Sequence, residues 1–174
     1  ISHIPNLNEV FNSVNLLLSE NGVFIFEDPY IGSVIKNNSY DQFYDEHAHL
    51  FSLIAMQNIV NKFNLKIFDV QILNTHGGSI RFYISKKDSK HKIHKNVKIL
   101  TKKESNARLK KLRTYKTFAN RIKKSKKKLK SLLIYLKRKR KKIVSYGATY
   151  KSTTVFNYCG INKDIIDYIV DTTP

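Results

Sequence analysis

Cysteine is almost absent from this sequence: Cys159 is the only one in 174 residues. A single thiol excludes an internal disulfide framework and any multi-cysteine zinc site within these residues. Long apolar runs are missing as well, and none approaches the roughly 18 residues that a membrane-spanning helix needs. No charged-then-apolar leader stands at the start, and the first residue is Ile1 rather than Met. The expectation is a cytoplasmic chain that is a piece of something longer, with no membrane partner. No internal repeat is evident. Carboxylates are scarce: 13 Asp+Glu stand against 32 Lys+Arg, a formal net charge of +19. What the chain does have is apolar bulk, 41% of residues with ten Tyr and ten Phe, which is enough for a real core and excludes wholesale disorder.

The charge is concentrated. Residues 86–142 hold 26 Lys/Arg and only Asp88 and Glu104, a net of +24, while the rest of the chain carries −5. Clustered Lys/Arg can bind a polyanion by releasing counterions. The same composition also describes a solvated helical face. Spacing favours the second reading: Phe118, Ala119, Ile122, Leu129, Leu132, Leu133 and Leu136 make one apolar stripe along a helix, so the helix packs on something. Aromatics that could stack bases are not interleaved with the lysines, and no named nucleic-acid motif is present. Nucleic-acid binding without catalysis remains the alternative.

The pattern alternates helix and strand. Leu7, Val10, Phe11, Val14, Leu17 and Leu18 predict a helix over 7–20, capped by Asn6 or Asn8 and stopped at Asn21-Gly22. Val23–Phe26 reads as a buried parallel strand ending in Glu27-Asp28. Residues 30–51 show no clear period and are expected to be a long functional loop or lid. Ser52 caps a helix to about Phe63. Leu65–Leu73 and Ser79–Ser85 are strands, the second with Ile80, Phe82 and Ile84 on one face and Arg81 and Tyr83 on the other. The composition break at Lys86 is the expected domain boundary. Beyond the basic helical stretch come a strand at 143–146, a helix from Lys151 to Tyr158, a short helix or turn at 164–168 and a last strand at 169–171. The fold class is therefore α/β, with parallel sheets in two layers.

Four clusters could carry chemistry. The first, Tyr40-Asp41-Gln42-Phe43-Tyr44-Asp45-Glu46-His47 with His49 behind it, offers a hydroxyl, a carboxylate and an imidazole. A Glu bonded to a His fixes its tautomer and suits a general base near neutral pH, though a polar solvated loop explains the same residues. His47-x-His49 with one acid falls short of a metal site. The second is His76-Gly77-Gly78-Ser79-x-Arg81, either an anion-binding turn or an ordinary hairpin. The third is Tyr146-Gly147-Ala148-Thr149-x-Lys151-Ser152-Thr153-Thr154. Its strand, small-residue turn and helix start could receive an anion, without the Walker spacing or a dinucleotide fingerprint. The fourth is His3-Ile4-Pro5, where a lone His is ordinarily structural.

Taken together these segments, with Glu27-Asp28-Pro29-Tyr30, resemble the sugar C-methyltransferase family. That family methylates carbon 3 of nucleotide-linked 4-keto-deoxysugars with S-adenosylmethionine. The resemblance implies the C-terminal half of a class I methyltransferase (Rossmann-like) domain over 1–86 and a basic helical connection over 87–142. The start of a C-terminal α/β sugar-nucleotide-binding domain would follow over 143–174. Most of the cofactor site, and a zinc module, would lie outside this chain. The family's C-terminal domain continues past a segment like Asp171-Thr172-Thr173-Pro174. By the same resemblance His47 is the base oriented by Glu46, with Tyr44 bonding the keto oxygen or acting as the base itself, and His3 is a further active-site histidine. The substrate-binding residues would be His76, Gly77, Gly78, Ser79, Arg81, Gly147, Thr149, Lys151 and Ser152. A related methyltransferase acting on another carbonyl is the alternative within the same chemistry.

Overall fold

The computed structural model describes residues 1–172, and Thr173 and Pro174 of the expected Asp171–Pro174 continuation lie outside them. The chain forms two compact units: residues 1–39 with 46–115, and residues 40–45 with 116 onward.

The first unit is built on a three-stranded sheet ordered β1 (Phe24–Pro29), β3 (Ser79–Lys86), β2 (Leu65–Leu73). Both pairings are antiparallel, in contrast to the parallel strand expected at Val23–Phe26. The reason is the insertion of β3. The short Asn74–Gly78 turn sends β3 straight back along β2, and β3 then pairs with β1 on its other side. β1 and β2 therefore do run in the same direction, as helical crossovers demand, but they are not neighbours. β1 lies at one end of the strand order, and Ile25 is half exposed.

Helices cover this sheet. In α1 (Leu7–Leu17) the side chain of Asn6 accepts from the Glu9 amide, closing the first turn. Leu7, Phe11, Val14 and Leu18 fall on one stripe and pack on the core, whereas Leu17 sits off that stripe and is exposed. The expected long loop contains α2 (Ile31–Asn37), which seven residues are too few to betray by periodicity. Ser52 caps α3 (Leu53–Val60), accepting from the Ala55 amide. α4 (Lys95–Asn106) packs on β2 and α3 through Val97, Leu100 and Glu104. The composition break at Lys86 thus falls inside the first unit. Charge changes there, but packing does not. In β3, Ile80, Phe82 and Ile84 are fully buried, as their alternation requires.

α5 (Leu112–Arg138) begins in the first unit and continues into the second, so the units divide within a helix rather than at 86 or 142. In the second unit β4 (Val144–Tyr146) and β5 (Tyr168–Val170) pair in parallel, joined by α6 (Tyr150–Cys159). This is the one parallel pair of strands among the described residues. Asp167 ties the unit together by accepting from the Ile143 amide at 2.7 Å and from Lys137 Nζ at 2.7 Å. Tyr168, Ile169 and Val170 stay exposed.

Candidate functional site

The end of β1 fixes the entry to the first unit. Asp28, nearly buried, accepts from the Ser2 hydroxyl at 2.7 Å and from the Ser2 amide at 3.2 Å. Ser2 in turn accepts the His49 amide at 3.2 Å, and His49 Nε2 donates to the Pro5 carbonyl at 3.2 Å. These bonds lay residues 2–5 alongside residues 47–49. As a result His3 and His47 meet edge to face, with ring centroids 5.2 Å apart, and Glu46 Oε2 lies 3.9 Å from His3 Nδ1. Two imidazoles and a carboxylate gathered this way can accept, hold and pass a proton. The lone His3 is therefore brought to the cluster from 43 positions away.

Tyr44 belongs to the second unit. Its ring stacks on Tyr150, with centroids 6.0 Å apart and planes 7° from parallel. The Tyr40–Asp45 segment is held there by Tyr40, whose hydroxyl lies 3.4 Å from Cys159 Sγ, and by Phe43 against Phe118. Burial, then the hydrogen bond with Cys159, pushes the Tyr40 phenol well above its ordinary value. The sequence cluster of Tyr44, Glu46 and His47 thus straddles the division between units at Asp45/Glu46.

The His76–Arg81 segment divides into two functions. Ser79 Oγ donates to Glu27 Oε1, and Arg81 donates to Glu27 Oε2 from Nη2 at 2.8 Å and from Nε at 3.2 Å. Glu27 and Arg81 are direct partners across the β1–β3 ladder. The Ser79 bond first and the Arg81 bond next hold the Glu27 carboxyl below its usual range. The glycines serve a different contact. Gly78 adopts φ +123° and passes so close to α2 that an added Cβ would stand 2.4 Å from Ser33. Asn37 Nδ2 donates to the Gly77 carbonyl at 3.0 Å, and the Tyr30 amide to the Gly78 carbonyl at 3.1 Å. His76 itself sits in the left-handed region at φ 52°.

Behind this turn lies a cleft of about 550 Å³ between the turn, α2, the end of α4 and the start of α5. Its wall includes Lys36, Asn37, Asn74, Lys103 and Tyr30. Tyr30 rests against Glu104, which is fully buried. The two oxygens of Glu104 accept from the Leu53 amide at 2.7 Å and the Ile54 amide at 2.9 Å, capping α3. Burial and then the Glu104 charge push the Tyr30 and Tyr115 phenols up. Sequence reasoning missed Glu104 as a structural residue. The signal was there: it is one of two acids in a basic stretch, and it follows Val97 and Leu100 at helical spacing.

In the second unit Thr149 caps α6 by accepting from the Ser152 amide at 3.3 Å, and Ser152 Oγ donates to the Thr149 carbonyl at 2.6 Å. Gly147, at φ +98°, donates its amide to Val170, and Asp171 accepts from the Ala148 amide. The small-residue turn expected to receive an anion thus already holds a carboxylate of its own chain. Lys151 lies in the first turn of α6.

Residues 74–174 match the family described as the C-methyltransferase C-terminal domain. The chain belongs to the C-methyltransferase family. It is also 30% identical over 172 residues to C-methyltransferase NovU of Streptomyces niveus, in an alignment covering 99% of this chain and 41% of that protein. The chain therefore spans about two-fifths of that relative's length. The family match starts at Asn74, so it takes in the Gly-Gly turn and β3 as well as the basic stretch and the second unit. Among the described residues no three His, Cys, Asp or Glu group to hold a metal, and no helix is long and apolar enough to cross a membrane.

Proposed function

We propose that this chain forms part of an S-adenosylmethionine-dependent C-methyltransferase that acts on carbon 3 of a nucleotide-linked 4-keto-deoxysugar. The observation that carries the reading is the gathering of His3, Glu46 and His47, pinned by Asp28 through Ser2, in a chain of this family. S-adenosylmethionine supplies the methyl group as an electrophile. The cleft described in the first unit has no carboxylate on its wall to face a sulfonium, so none of its residues is assigned to the cofactor.

The chain's own part is proton removal and positioning. A keto group at carbon 4 acidifies the proton on carbon 3. His47 takes that proton, leaving the electron pair shared between carbon 3 and the keto oxygen as an enolate. An imidazole titrates near neutral pH and so suits this task. Glu46 and His3 hold the charge and orientation of the pair of rings. Tyr44, two residues before Glu46, is the other candidate base or the donor to the keto oxygen. Holding the nucleophilic carbon in line with the methyl group supplies much of the remaining acceleration.

Proton removal can be watched without methyl transfer. In D2O, with a 4-keto sugar nucleotide and no cofactor, the full-length protein is expected to exchange the carbon 3 proton, followed by NMR. His47→Ala is expected to slow this exchange about a hundredfold or more, while substrate affinity changes little. Unchanged exchange in that variant would move the base to Tyr44 or His3. Absence of exchange with 4-keto sugar nucleotides, but exchange with other ketones, would replace the substrate class.

A further inference from the structure

His3 rides on a tight turn, closed by the Ile4 amide donating to the Ile1 carbonyl at 2.9 Å, and its side chain is 54% exposed. A surface turn of this kind leaves an imidazole many orientations, and fixing one of them costs entropy. The contacts of the ring itself are loose: the Glu46 oxygen is 3.9 Å away, and His47 meets it edge to face. The firm anchors are on the backbone around it. Asp28 holds Ser2 from the sheet. His49 grips the chain on both sides of His3, its amide donating to the Ser2 carbonyl and its Nε2 to the Pro5 carbonyl, each at 3.2 Å. A carbonyl only accepts, so Nε2 of His49 carries a proton and that ring nitrogen is engaged. The ring is itself held, stacked on the buried Phe51 with centroids 5.8 Å apart, one residue before the Ser52 cap of α3. Pro5, with its fixed φ, then leads into the Asn6 cap of α1.

We propose that His49 is a positioning residue for proton transfer, a clamp that holds His3 against His47 and acts through His3 rather than on substrate. That the clamped rings remove a proton rests on the function proposed above, whereas the clamp itself does not. The commitment of its Nε2 to a backbone carbonyl separates the task of His49 from that of His47. A reacting group displaced by about 1 Å can lose on the order of a hundredfold in rate, so a bond that fixes a half-exposed turn bears directly on turnover.

NMR of the full-length protein without substrate reads the clamp directly. The ring protons of His3 and His47 are expected to show a mutual Overhauser contact, which His49→Ala abolishes. His49→Gln, whose side-chain amide can offer an N–H to the same carbonyl, keeps the contact, and the shorter His49→Asn does not. In the carbon 3 exchange assay, His49→Ala is expected to slow turnover about tenfold or more while the apparent KM changes less than about twofold. His49→Gln restores most of the rate. In a His3→Ala background, His49→Ala is expected to cost nothing further, because two residues that act through one another do not add. A purely structural residue would cost as much again there. Unchanged thermal unfolding shows that the variants fold, and if His49→Ala does not, the contrast between Gln and Asn carries the same test. A His3–His47 contact that survives His49→Ala, or a full second loss in the His3→Ala background, overturns the proposal. A natural protein that shows the His49-dependent contact but exchanges no carbon 3 proton sinks the proposed function and leaves the clamp standing. Exchange that needs His47 but is indifferent to His49 does the reverse.

Discussion

At Gly78 two independent constraints meet, a positive φ of +123° and a neighbour, Ser33, that leaves no room for a Cβ. Gly78→Ala is therefore expected to cost about 2 kcal/mol or more in denaturant unfolding. Adding Ser33→Gly removes the clash but not the backbone strain, so the double variant should recover only part of the loss. If Gly78→Ala is as stable as the natural chain, the turn is not packed on α2 as described. Glu27 makes a different kind of prediction. Its carboxyl is held below its ordinary range by Ser79 and then Arg81. A carboxyl depressed by folding stabilises the native state above its unfolded pKa, and that contribution is lost as pH falls through the folded value. Glu27→Gln should lower the unfolding midpoint at pH 7, with the gap from the natural chain closing on acidification below about pH 4. A gap that stays constant down to pH 2 would mean that the carboxylate's charge contributes nothing. His3 shows the limit of reading single residues. Nothing near it in the sequence marks it, and only the Asp28–Ser2 and Ser2–His49 bonds carry it to His47.

Helix α4 shows how an element's composition can mislead about its place. Its mean character is polar and basic, yet Val97, Leu100 and Glu104 turn inward, and the carboxylate caps α3. A helix start has unsatisfied amide groups, and a buried acceptor there is strongly favoured. Glu104→Ala would leave the Leu53 and Ile54 amides without that partner, at a cost of about 3 kcal/mol, with Glu104→Gln costing about half. Hydrogen exchange at those two amides should accelerate in step with the loss. Unaltered protection would show that another group caps α3. α2 was hidden for the opposite reason. Seven residues give too little periodicity to see, and its presence depends on β1 delivering Tyr30 to the core and on Asn38 ending the helix in the left-handed region.

Across the whole molecule the charge is lopsided: residues 105–163 contain 20 Lys/Arg and no Asp or Glu. Phe118 is buried on α5 and Ile122, Leu129, Leu133 and Leu136 are partly so, whereas Ala119 and Leu132 of the expected stripe are exposed, as are Lys123, Lys124, Lys127 and Lys128. This is the solvated face that the stripe implies. Any association with duplex DNA is expected to be electrostatic, to weaken steeply with salt and to fall further when these four are replaced by Gln. Methyl transfer should be indifferent to the same changes. Filter binding across a salt series checks this, and tight, salt-insensitive binding would revive the nucleic-acid alternative.

The sequence by itself determined the α/β character, the helices and strands with strong periodicity, the cap at Ser52 and, as one of two candidates, that at Asn6, and the C-methyltransferase family. Those features depend on local backbone preference and on residue order, which a linear text carries. It misjudged the sheet, because strand neighbours depend on which edge a returning strand fills, and β3 filled the gap beside β1. It placed the boundary at a change of charge, whereas units are divided by packing, and α4 packs with the first. Only the tertiary structure decided that Arg81 serves Glu27, that Asp171 occupies the α6 turn, and that Lys36 and Lys103 share one cleft. Each of these joins residues tens of positions apart, and no spacing rule reaches that far.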